Sequence, residues 1–154
     1  MSMLARFRKP GGFLQLLALI ETCDEQKRRN LLDLIGAEDP GWAHLVKIKA
    51  LSFERIMSWP VETLMEITPH LPDKILVSVY QMCDQAKREK WLKSLPGIKS
   101  KEIQNLSAES PVNYFEQGPT AIKLIQIVRD QISKGQIRFA QFDPTLEIDQ
   151  QIAA

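Results

Sequence analysis

Signals that stop and start helices recur along this chain at intervals too short for long elements. Between them, apolar residues fall at helical rather than alternating spacing. Gly11-Gly12 precedes an apolar helix reaching about Glu21, and Asp24 is placed to cap a helix that carries Leu31, Leu32 and Ile35 and stops at Gly36. Asp39-Pro40 is the strongest start signal. Asp accepts from the unpaired N–H groups of a first helical turn, and Pro has no N–H to leave unpaired. The helix it opens carries Trp42, Leu45, Val46 and Ile48. Pro60 opens another through Leu64 and Ile67, closed near Pro69, and Leu71-Pro72-Asp73 starts one with Ile75, Leu76, Val79 and Met82 on one side. Asp84 caps a charged helix enclosing Trp91, Leu92 and Leu95, which ends at Pro96-Gly97, and a further helix covers about 99–107. The longest runs from Gly118-Pro119 to Lys134-Gly135, with Ala121, Leu124, Ile125, Val128 and Ile132 on one face. Only 136–142 alternates like a strand. The expected class is all-α.

The chain also echoes itself. Cys23-Asp24-Glu25-Gln26-Lys27-Arg28 followed by Leu32 matches Cys83-Asp84-Gln85-Ala86-Lys87-Arg88 followed by Leu92, and an apolar helix precedes each copy. A repeated helix, Asp cap and charged helix is the unit from which armadillo-like right-handed superhelices are stacked. Common cap chemistry can also produce two such copies.

Composition narrows the function. A net charge of +1 over 154 residues lacks the basic surplus of a nucleic-acid binder. Cys23 and Cys83 form no disulfide framework or zinc spacing, and both read as half-buried packing thiols of a cytoplasmic protein. The apolar run 13–20 is too short to span a bilayer, and Glu21-Thr22-Cys23-Asp24 offers no small-residue cleavage site. No phosphate loop, dinucleotide fingerprint, zinc-protease helix or nucleophile elbow is present. His44 lacks a nucleophile beside it, and His70 reads as a solvated turn residue. No catalytic, cofactor-binding or metal-ligating residue emerges. Trp42, Trp59 and Trp91 serve as core fillers or interface anchors. The residues therefore describe a helical protein-interaction module.

The order of these features resembles the C-terminal part of the flagellar motor switch family FliG over about residues 10–140. The carriers are Gly11-Gly12, the apolar helix, the helix headed by Asp24, Glu38-Asp39-Pro40 with Ala43, and Phe53-Glu54. Further along they are Leu64, Leu76, Glu89-Lys90, Pro111-Val112 and the helix through Leu124–Arg129, ending in Gly135-Gln136-Ile137. The resemblance implies a flexible 1–9, an armadillo-like lobe over 10–49, a six-helix lobe over 50–140 and a tail over 141–154. It implies that Gly11 and Gly12 act as a hinge, the alternative being a loose N-terminal tail. It also implies an inter-lobe motif at Ala50, Leu51, Phe53 and Glu54, with Phe53 seating one lobe on the other; the alternative is an ordinary core aromatic.

The family faces its stator with charged residues, and here those positions have changed. The family's Lys falls on Gln81, and its Arg at the head of the charged helix falls on Ile98. Its acidic pair falls on Asn105 with Gln104 or Leu106, and its Arg after Pro-Val falls on Asn113. Lys99 and Lys101 are the nearby charges left to substitute. By this resemblance the chain is a non-enzymatic component of the flagellar rotor, cytoplasmic and peripheral to the inner membrane at the basal body. A FliM-like switch protein would be its partner, self-association in a ring is compatible, and the stator contact is weakened or lost. No nucleic acid, membrane insertion or cofactor is implied. Two alternatives stand: a FliG-like scaffold outside torque generation, or a cytosolic regulatory domain related to magnesium transporters.

Overall fold

The computed structural model describes residues 3–137 and 143–146, and every regular element among them is helical. The chain divides into two compact units, with the break between Leu51 and Ser52. Among the described residues the first contains 3–51 and 143–146, and the second 52–137.

The first unit is built from α1 (Gly12–Thr22), α2 (Glu25–Glu38) and α3 (Pro40–Lys49). Phe13, Leu16, Leu17 and Ile20 lie on one face of α1 and are buried together with Ile35, Ala43 and Val46. Burying side chains of this size stabilises by about 1.5–3 kcal/mol each. Where a flexible 1–9 was expected, residues Leu4–Phe7 form a 3-10 turn that buries Leu4 and Phe7 in the same core. The backbone N–H groups of Met3 and Leu4 donate to the two carboxylate oxygens of Glu38, at 2.6 and 3.0 Å. That contact spans 35 residues, so local pattern does not reveal it. A second short turn, Pro144–Leu146, packs on α3 with Leu146 buried.

Gly11 and Gly12 hold this arrangement together. Gly11 caps α1 with a left-handed φ of 77°. A Cβ on Gly12 would sit 1.7 Å from the Phe7 carbonyl oxygen, so only glycine lets the turn lie on the start of α1.

α2 does not stop at Gly36 but continues to Glu38. Asp39 N–H donates to the Ile35 carbonyl at 2.7 Å, closing one more turn, and Pro40 then forces Asp39 out of helical geometry (φ −152°, ψ 93°). Asp39 next caps α3, accepting from Trp42 N–H at 3.1 Å, and its other carboxylate oxygen pairs with Arg8 at 2.7 Å. The Arg8 guanidinium also lies 4.8 Å above the Trp42 ring.

The second unit contains α4 (Phe53–Met57), α5 (Val61–Ile67), α6 (Asp73–Met82), α7 (Gln85–Lys93), α8 (Gly97–Glu109) and α9 (Gln117–Ser133). Its buried residues include Ile56, Leu64, Leu76, Val79, Trp91, Ile103, Leu124 and Val128. Trp91 is fully enclosed, and its indole N–H donates to the Leu76 carbonyl at 3.1 Å. Lys90 Nζ reaches the Met57 carbonyl at 2.9 Å, tying α7 to α4. The sequence pattern missed α4, whose five residues are too few to show a period; Ser52 caps it by accepting from Arg55 N–H. Gly135 (φ 71°) ends α9 with N–H groups of 135 and 136 donating to the carbonyls of Ile132 and Gln131, a Schellman closure. In the stretch expected to alternate like a strand, Gln136 and Ile137 form none, and 138–142 lie outside the described residues.

The echo in sequence is an echo in geometry. Asp24 and Asp84 have nearly the same backbone angles (φ −67°, ψ 167° and φ −72°, ψ 176°). They accept from Lys27 and Lys87 N–H at 2.8 and 2.9 Å. Arg28 Nε donates back to the Ile20 carbonyl at 3.2 Å, and Arg88 Nε to the Tyr80 carbonyl at 2.9 Å. One corner is thus built twice, once in each unit.

These contacts set stability expectations. Gly12→Ala should cost more than Gly11→Ala, since the first meets backbone and the second only the left-handed penalty of about 1–2 kcal/mol. Gly97→Ala, with open space around its Cβ, should be near neutral. Thermal melts of the three variants check the order, and equal melting temperatures would contradict it.

Asp39 supplies a pH test. The Arg8 side chain first, and the Trp42 N–H second, hold its carboxyl below the ordinary value of 3.8. A depressed folded value means the stabilisation is complete above the ordinary range and is lost as pH falls through the lowered value. Asp39→Asn keeps a good cap without the charge. The melting-temperature gap between wild type and Asp39→Asn should therefore be open at neutral pH and close in strong acid.

Candidate functional site

The residues that the resemblance would place at a stator contact all fall in the second unit, on α6, α8 and the segment 110–116. α6 follows Pro72 and buries Leu76 and Val79, leaving Asp73, Lys74, Val77 and Gln81 toward a groove. α8 follows Pro96 and buries Ile103, with Leu106 on the groove. Ser110, Pro111, Asn113 and Glu116 line the same cavity, of about 290 Å³. The Ser78 and Thr120 hydroxyls meet at 2.8 Å and fix α6 to α9.

Two of the neutral amides are occupied inside the chain. Gln81 Nε2 donates to the Ser107 carbonyl at 3.5 Å and to the Ser110 carbonyl at 3.2 Å, serving carbonyls at the C-terminal end of α8. Asn113 Oδ1 accepts from Phe115 N–H at 3.1 Å and opens the 3-10 turn Tyr114–Glu116, which runs straight into α9. Gln104 and Asn105 are exposed on α8, and Ile98 near its start is 87% exposed.

Of the two nearby cations, Lys99 is neutralised locally. Lys99 Nζ lies 2.9 Å from Asp73 and 3.3 Å from Glu102. The Asp73 carboxylate first, and Glu102 second, raise the Lys99 ammonium above its ordinary value of 10.5. A lysine held between two carboxylates projects little field to a distant partner. Lys101 is exposed.

The other expected site residues lie apart from this groove in sequence and role. Ala50 ends α3 as its C-cap, and Leu51, buried, donates its N–H to the buried Glu21 carboxylate at 2.6 Å. Phe53, half-buried, and Glu54, exposed, begin α4. Cys23 is half-buried and Cys83 buried, and burial pushes the Cys83 thiol up to about 11, leaving it protonated and unreactive. His44 and His70 are exposed. Among the described residues no group of three or more His, Cys, Asp or Glu side chains is placed to hold a metal ion. No helix among them is long and apolar enough to cross a membrane.

Sequence reasoning missed the exposed aromatic pair of the 3-10 turn before α9. Tyr114 is 75% and Phe115 94% exposed, with Val112 at 41%. Their setting between Pro111 and Gly118, in a stretch without helical period, was the available signal.

Gln81→Ala should lower stability by about 1 kcal/mol through the lost carbonyl partners, a fall of about 2–4 °C in Tm. Gln81→Lys retains a donor and adds a cation at a helix C-terminus, favourable by roughly 0.3–1 kcal/mol. It should melt at or above wild type. An alanine variant as stable as wild type would remove Gln81 from this role.

No protein-family model matches the chain, and no curated protein matches it. Solved structures do. The crystal structure of FliG residues 86–343 from H. pylori matches with a TM-score of 0.60 and 18% identity, covering 85% of this chain and 62% of that one. A second H. pylori FliG crystal structure, of residues 116–343, matches at 0.56 and 18%, covering 84% and 58%. Full-length FliG from Aquifex aeolicus matches at 0.51 and 23%, covering 82% and 40%. The chain therefore spans less than two thirds of the FliG chains it resembles, and across most of its length its fold is similar to theirs.

Proposed function

We propose that this chain is a non-enzymatic component of a flagellar rotor or switch complex, equivalent to the C-terminal part of FliG, in which the charge-based stator contact is weakened or lost. The observation that carries the reading is the fold likeness over 85% of the chain at the same time as Gln81 and Asn113 are turned to internal caps and Lys99 is paired at both sides. Close interfacial charge pairs contribute roughly 1.5–7 kcal/mol of coupling where they have been measured. Amides and an isoleucine in their place keep the helices and give up that coupling and its long-range steering. In this reading residues 10–49 are an armadillo-like lobe and 50–140 a six-helix lobe. Gly11-Gly12 form the joint before the first, and the chain resides in the cytoplasm at the basal body. The partner is a FliM-like switch protein bound through apolar helix faces, and assembly side by side in a ring fits the same reading.

The test is recovery from the native host. Affinity capture of the full chain should retain rotor proteins of the FliM type and little stator protein. Failure to recover any rotor or stator protein would count against the motor assignment. Charge reversal at Lys99 or Lys101 separates the finer claim: motility should be unchanged, and its loss with basal bodies intact would show that torque still passes through this face.

A further inference from the structure

α9 carries a buried polar group left without a partner. Gln131 is 3% exposed, and its Oε1 is buried with no hydrogen bond. Acceptors enclosed in this way are rare in folded proteins, because the water lost on folding is normally replaced by a donor. Gln131 also lines a cavity of about 440 Å³ on the second unit. Lys123, Ile127, Asp130 and Lys134 line it with Gln131 and follow at three- and four-residue steps along α9, one stripe of a single helix face. At 1.5 Å per residue, the stripe from Lys123 to Lys134 runs about 16 Å.

The lining sorts what can enter. Asp130 is paired with Lys134 at 2.9 Å, whereas Lys123 is exposed and has no ion pair among the described residues. The cavity therefore holds one uncompensated cation, which calls for an anion. The Gln131 oxygen calls for the opposite, an N–H or O–H donor. Gln126 and Gln136, also in the lining, each present an acceptor and donors in one planar amide, the groups that pair with a peptide bond. An extended peptide with an acidic side chain meets all of these demands, and about five residues at ~3.3 Å each cover the stripe.

We propose that this cavity binds an extended acidic peptide segment of a partner protein, with Gln131 Oε1 accepting a backbone N–H and Lys123 pairing with a carboxylate side chain. Oε1 is closed to water as it stands. The last torsion of a glutamine side chain is broad and two-fold, so the carboxamide turns toward an arriving N–H at little cost. Ile127, half-buried on the same stripe, gives the peptide an apolar contact between the two polar ones. A free amino acid has the charge and the donor but not the reach, since Lys123 and Gln131 stand about 12 Å apart along the helix. The inference is independent of the rotor assignment, whose positions lie on α6, α8 and 110–116.

Titration of the full chain with synthetic peptides, followed by proton–nitrogen NMR of the glutamine side-chain amides, tests it. The probe is an end-capped Ala-Glu-Ala-Glu-Ala peptide, compared with its lysine counterpart, a backbone N-methylated version and free glutamate. The glutamate peptide should shift the Gln131 side-chain signals saturably. The other three should bind at least roughly fivefold more weakly, about the worth of one hydrogen bond. Lys123→Glu, at an exposed position, and Gln131→Leu should each weaken the glutamate peptide by a similar factor. Gln131→Leu should also melt no lower than wild type, because an apolar group then replaces an unpaired acceptor. No saturable shift with the glutamate peptide would overturn the proposal. So would equal binding of the lysine peptide or of glutamate, or unchanged binding in Gln131→Leu. A lower melting temperature for Gln131→Leu would overturn it too, by showing that the amide is satisfied within the chain.

Discussion

The structure rests on a bond that crosses a corner. At each repeat an apolar helix ends with unpaired carbonyls and a charged helix begins with unpaired N–H groups, two ends that burial would otherwise penalise. Asp24 and Asp84 satisfy the starting helix, and Arg28 and Arg88 reach eight residues back to satisfy the ending one. The charged helices α2 and α7 bury few side chains of their own, Ile35 in one and Trp91 in the other. Their position therefore depends on the corner more than on an apolar stripe. Arg88 adds a stacking contact, its guanidinium 4.9 Å above the Tyr80 ring. In both units the residue types at matching positions are the ones the geometry needs, which is why the echo survives from sequence into hydrogen bonds.

What the sequence made legible follows from this local chemistry. Asp24, Asp39-Pro40, Asp84 and Gly135 announce themselves because a cap needs only its own few neighbours. The features it hid require a distant partner. The 3-10 turn at Leu4–Phe7 exists because Glu38 receives its N–H groups, and Gly12 is needed because Phe7 lies over it. α2 outruns Gly36 because Glu38 has that task and because Pro40, not Gly36, sets the end. At the site, the neutral residues Gln81, Asn105 and Asn113 were readable, but the direction of each amide was not. Gln81 faces the end of α8 only because α8 packs against α6, a fact of tertiary structure.

Those directions change what the substitutions mean. An amide free at the surface leaves hydrogen-bonding groups open to a partner, whereas one that caps the chain's own backbone has part of that capacity already used. Gln81 and Asn113 are of the second kind, Gln104 and Asn105 of the first. Lys99 keeps its charge but divides it between Asp73 and Glu102. On this side of the second unit Gln81 and Asn113 are thus bonded to the chain's own backbone and Lys99 to its own carboxylates.

A face of this kind recognises by contact. Electrostatic recognition acts over a Debye length of about 8 Å at physiological salt and selects partners before they touch. Apolar recognition begins only when water is expelled, and its selectivity lies in shape. Among the large apolar side chains of the second unit Ile98 and Phe115 are the most exposed, and the groove between α6 and α8 is lined partly by Val77, Leu106 and Pro111. A contact formed on that apolar lining depends on the fit of the side chain placed against it. The side chains of this face therefore favour shape over charge as a basis for recognition, on a backbone whose fold is similar to that of FliG.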